Sequence, residues 1–113
     1  MRVPKVKGPE VIEGSGNVFE DLGLPDADEL LAKATLAKKV SDIIKGRRLT
    51  QAQAADLLET TQPKVSNLMN GRLRGFSMER LLRFLNALDR DVKIIVKPRS
   101  RAKRRARFTV EVA

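Results

Sequence analysis

A chain of 113 residues has room for one domain and its tails, and a hydrophobic fraction of 42% suits a single packed core. Its 23 Lys and Arg against 14 Asp and Glu leave a formal charge of +9, which directs it toward a polyanion, nucleic acid ahead of a membrane surface. The absence of Cys and His excludes disulfides, thiolate metal sites, zinc hydrolases and Ser-His-Asp or Cys-His enzymes, and no apolar run approaches a bilayer span or a secretory signal.

No carboxylate pair or glycine-rich phosphate loop is arranged for chemistry, so the chain is expected to be a cytoplasmic, nucleoid-associated protein without enzymatic activity or cofactor. Three regions are expected: an arm over 1–24, a helical body over 25–90, and C-terminal strands with a basic tail over 91–113. The arm mixes Pro4, Pro9, Gly8, Gly14 and Gly16 with scattered charge. Within it, the apolar residues of Asn17-Val18-Phe19-Glu20-Asp21-Leu22 could dock locally.

Asp26, with Glu29 three residues on, predicts a capping box and a first helix running to about Lys45. Leu30, Ala34, Ala37, Val40 and Ile44 form its apolar stripe, and Gly46 stands where a left-handed terminator is expected. Thr50 and Gln53 repeat the capping signal for a short helix that ends near Glu59. Thr61 then caps a third helix, with Pro63 in its first turn. Val65, Leu68 and Met69 would face inward there, while Gln62, Lys64, Ser66, Asn67 and Asn70 take more exposed faces. Those polar residues could equally be plain solvated surface.

After a glycine-punctuated loop over 70–76, Ser77 caps a helix through about Leu88, with Met78, Leu81, Leu82, Leu85 and Leu88 as its stripe. Phe19, Phe76 and Phe84 suit core or docking positions rather than base stacking. The period then changes to alternation over Val92-Lys93-Ile94-Ile95-Val96-Lys97 and again over Phe108-Thr109-Val110-Glu111-Val112, predicting strands. The first run must pair with the second or with its copy in another subunit, because a lone strand leaves its backbone groups unsatisfied. Between them lie six cations in nine residues (Arg99, Arg101, Lys103, Arg104, Arg105 and Arg107), suited to a non-specific phosphate-binding arm.

The stretch from Thr50 through Thr60-Thr61-Gln62-Pro63-Lys64-Val65-Ser66-Asn67-Leu68-Met69-Asn70 to Gly71 resembles the helix-turn-helix of the XRE family, the Cro and lambda-repressor-like regulators. Ala55 matches the close crossing of that unit's helices, and Leu58, Val65 and Leu68 match its internal apolar positions. Glu59 departs from the glycine often found at the turn. Further stretches, Gly16-Asn17-Val18-Phe19-Glu20-Asp21-Leu22-Gly23, Gly71-Arg72-Leu73-Arg74-Gly75-Phe76-Ser77 and Asp91-Val92-Lys93-Ile94-Ile95-Val96-Lys97-Pro98, look like HigA-type antitoxins.

The resemblance implies a mainly α, lambda-repressor-like bundle of four to five helices with a C-terminal β-strand or hairpin, assembled as a dimer on double-stranded operator DNA. It implies a repressor that controls its own operon as the antitoxin of a type II toxin-antitoxin module and neutralises a RelE/HigB-like toxin. The alternative is a stand-alone or phage-type XRE regulator without a toxin partner. Gln62, Lys64, Ser66 and Asn67 are the candidates for base edges, since amides and cations there can pair with purines in the major groove. Gln51, Asn70, Arg72 and Arg74 are the candidates for phosphates. For the toxin, the acidic cluster Glu20, Asp21, Asp26, Asp28 and Glu29 offers charge complementary to a basic ribonuclease.

Overall fold

The computed structural model describes residues 26–101 and 107–113. The arm 1–24 and the basic residues Lys103, Arg104 and Arg105 lie outside the described residues. Four helices follow in order: α1 (Ala27–Gly46), α2 (Gln51–Leu58), α3 (Gln62–Met69) and α4 (Met78–Ala87). None of the described helices is long and apolar enough to cross a membrane.

The four pack around one core. Leu36, Val40, Ile43 and Ile44 of α1 meet Ala54, Ala55 and Leu58 of α2, Val65 and Leu68 of α3, and Leu81, Phe84 and Leu85 of α4. The long α1 lies against both α3 and α4, and α2 packs on α3. Helices of eight residues such as α2 and α3 are marginal on their own, so they exist here because this packing holds them.

The capping residues Thr50, Thr61 and Ser77 each accept a hydrogen bond from the backbone N–H three residues on, and Thr50 and Gln53 close a full capping box. Asp26 does not cap α1 as expected. Its backbone is left-handed, with φ 56°, and its side chain makes no cap hydrogen bond. The usual capping residue has extended backbone, which is what brings its oxygen over the first turn.

Gly46 is also not the terminator of α1: it ends the helix, and Arg48 takes the left-handed position at φ 57°. Arg48 N–H donates to the Lys45 carbonyl and Leu49 N–H to that of Ile44, the paired bonds of a Schellman ending. Leu30, expected on the inward stripe, is instead exposed, although Ala37, Val40 and Ile44 are buried. The Arg47 guanidinium donates to the Leu88 carbonyl at 2.6 Å, satisfying an acceptor that the end of α4 leaves open.

The C-terminal strands are not formed: among the described residues there is no strand. The two alternating runs never meet. Residues 107–113 lie against α1, where Arg107 grips the Asp28 carboxylate through Nη2 at 2.6 Å and Nε at 3.2 Å. Phe108 N–H donates to the same carboxylate, Val110 packs against the core, and Lys39 reaches the Ala113 carbonyl. With its expected partner engaged elsewhere, the 92–97 run stays extended and exposed.

Leu68 is 2% exposed and anchors α3 to the body. Leu68→Ala should therefore lower the unfolding free energy by about 2–5 kcal/mol in chemical denaturation, the range for truncating a buried leucine.

Candidate nucleic-acid interface

The corner between α2 and α3 consists of the three residues Glu59, Thr60 and Thr61, and its backbone hydrogen bonds set the turn. Glu59 adopts φ 55° and ψ 47°, its N–H donates to Asp56, and Thr60 N–H donates to Ala55 at 2.9 Å. This is the same Schellman ending as on α1, with glutamate in the place where glycine is usual. Left-handed backbone costs an L-residue about 1–2 kcal/mol, so the surrounding contacts must hold the turn.

Those contacts come from α4 and the loop before it. Arg80 Nη2 donates to Thr60 Oγ1 at 3.2 Å, and its guanidinium lies 5.8 Å from the Phe84 ring centroid. Phe84 meets Phe76 edge to face at 6.2 Å, and the Lys64 ammonium sits 5.9 Å from the Phe76 centroid. Two edge-to-face rings flanked by two cations thus link the turn to the first half of α3.

With 3.6 residues per turn, Val65 and Leu68 define the buried edge of α3, and Pro63, Ser66, Asn67 and Asn70 spread over the opposite side. Gln62 and Pro63 are exposed, and Ser66 and Asn67 are half-buried. Lys64 is on the flank of the buried edge rather than at the centre of the outward face, which is why its ammonium can reach Phe76.

Two residues missed by sequence reasoning belong to this surface. Pro63 projects a rigid apolar ring from the first turn, suited to a thymine methyl, and wheel arithmetic alone could have found it. Arg80 braces the turn from 20 residues away, and no local signal marks it.

At the far end of α3, Gly71 is left-handed at φ 74°, and Arg72 N–H donates to the Asn67 carbonyl at 2.8 Å. Arg72 and Arg74 are both exposed on the loop that this turn launches. Asn70 differs from expectation in part: its amide nitrogen donates to the Ser66 carbonyl at 2.9 Å, so it also closes the last turn of α3. Gln51 is half-buried at the first residue of α2, where the backbone N–H groups point outward. Gln62, Ser66, Asn67, Arg72 and Arg74 thus gather around one short helix, with Gln51 at the start of its neighbour.

A family model described as a helix-turn-helix domain matches residues 18–97. A solved structure assigned to the XRE family of transcriptional regulators is similar to this chain at 47% identity and a TM-score of 0.74. The similarity covers 79% of this chain and 100% of that one. No curated protein matches the chain.

Among the described residues no hydrogen bond or ion pair engages the exposed Glu59 side chain. Glu59→Gly should remove the left-handed penalty and raise stability by about 0.5–1 kcal/mol after the entropic cost of glycine, read as a rise in melting temperature.

Proposed function

The chain belongs to the XRE family of helix-turn-helix transcriptional regulators, and from that premise we propose that it is a sequence-specific repressor that binds operator DNA through α3. The observation that carries the proposal is the polar outward face of α3, from Gln62 to Asn70, on a helix whose opposite edge is locked into the core. Gln62 and Asn67 read base edges, Ser66 and Lys64 assist, and Arg72, Arg74 and Gln51 hold phosphates on either side. Asn70 adds a phosphate contact by turning one amide N–H from the Ser66 hydroxyl to the phosphate, while the other keeps its bond to the Ser66 carbonyl.

The repressor acts as a homodimer, since an operator with two half-sites one duplex turn apart asks for a two-fold particle. Support comes from the extended run after α4, where Ile94 is 76% and Val96 is 91% exposed. Such β-branched residues in water favour association with a second copy. The finer reading, an antitoxin that autoregulates its operon and neutralises a RelE/HigB-like toxin, rests on the sequence resemblance. Of the acidic residues offered to that partner, Asp26 and Glu29 are exposed, while Asp28 is engaged by Arg107. A stand-alone regulator shares every other feature.

Binding to the chain's own promoter region and to scrambled duplex should be compared across salt concentrations. The promoter should be preferred, and equal affinities with equal salt slopes would discard the proposal. Gln62→Ala with Asn67→Ala should cost about 1–3 kcal/mol of that preference per lost contact, whereas Arg72→Ala should weaken all sequences alike and reduce the salt slope by about one. In sedimentation, the protein should run as a dimer that Ile94→Glu dissociates.

A further inference from the structure

A groove of about 620 Å³ runs between α1 and the far end of α3, within the size range of binding clefts, and of the residues proposed to touch DNA only Arg74 lines it. Its floor is apolar: Leu30, Ala34, Leu68, Met69 and Leu73. Leu30 lies open there instead of in the core. Its rim carries Lys33, Lys38, Lys45 and Arg74. Lys38 is paired with Asp42 at 3.0 Å, but among the described residues no carboxylate pairs with Lys33, Lys45 or Arg74. An apolar floor under unpaired cations fits an extended segment that carries both apolar and acidic groups.

We propose that the occupant is the chain's own segment Val18-Phe19-Glu20-Asp21-Leu22-Gly23-Leu24, folded back along α1. It carries the apolar groups Val18, Phe19, Leu22 and Leu24 to match the floor and the carboxylates Glu20 and Asp21 to match the cations. The reach also fits. Seven extended residues span about 23 Å, and at about 1.5 Å per helical residue Leu30 and Lys45 are about 22 Å apart. The chain enters α1 through the left-handed turn at Asp26, one helical turn from Leu30, so Leu24 starts at the near end and Val18 reaches Lys45. The match to the helix-turn-helix family model begins at residue 18 and so includes this segment. The residue 107–113 strap holds the other flank of α1 at Asp28 and Lys39, leaving the groove side to the arm.

The chain has no cysteine, so an engineered pair reports without background. Full-length Val18→Cys/Lys45→Cys protein, free of DNA and checked for helix content by circular dichroism, is oxidised at several dilutions and compared with Val18→Cys/Arg83→Cys. Seating should give an intrachain disulfide at a rate independent of protein concentration and roughly tenfold above the control pair, because docking raises the local concentration beyond that of a loose tether. Phe19→Ala, and separately Glu20→Lys with Asp21→Lys, should each slow it severalfold. Equal rates for the two pairs would overturn the proposal. So would interchain disulfides that grow with concentration, which would give the groove to a second copy. The crosslink needs no DNA, so failure here leaves the operator reading standing, and failure of that reading leaves this one.

Discussion

What the molecule can present to a duplex depends on two side chains. Val65 and Leu68 are the fully buried residues of α3, and a helix of eight residues has too little intrinsic stability to persist without them. Burying that edge fixes the rotation of α3 about its own axis, and rotation decides which polar groups point out. The turn at Glu59 then fixes its direction, and the chain of contacts from Thr60 through Arg80, Phe84 and Phe76 to Lys64 resists the strain stored in that turn. Specificity therefore rests on core packing first and on surface chemistry second.

The sequence announces this corner well because its signals are local. Thr50 with Gln53, Thr61 with Pro63, and Ser77 are capping patterns whose partners lie within three residues, and all three form. The apolar stripe of α4 is equally readable, since its period is unbroken. Asp26 carries the same local pattern and fails, because its left-handed backbone does not bring the side-chain oxygen over the first turn. Glu59 illustrates a different limit: its left-handed backbone follows from the spacing of two adjacent helices, and nothing in glutamate itself suggests it.

The alternating runs that predict strands form none among the described residues, and the cause is physical. Alternation in Val92 to Val96 and in Phe108 to Val112 describes a chain that can extend, but a ladder also needs a neighbour whose groups are available. Arg107 and Asp28, 79 positions apart, take the second run to α1 instead. Long-range ion pairs of this kind leave no trace in periodicity. The outward residues of α3 were legible from the helix-turn-helix pattern, whereas the flanking position of Lys64 and the double duty of Asn70 emerge only with the packing.

The Arg107 grip on Asp28 changes what the basic stretch can be. With Arg47 holding the end of α4 at Leu88 and Arg107 holding α1 at Asp28, the chain is tied to the body on both sides of the described cations of this stretch. Closing such a loop costs entropy that grows only slowly with its length, so the two clasps suffice. Its cations, among them Lys93, Lys97, Arg99 and Arg101, cannot drift away from the body as those of an open end would. These cations are thus tethered near α1 and α4, within reach of the helix proposed to read the duplex.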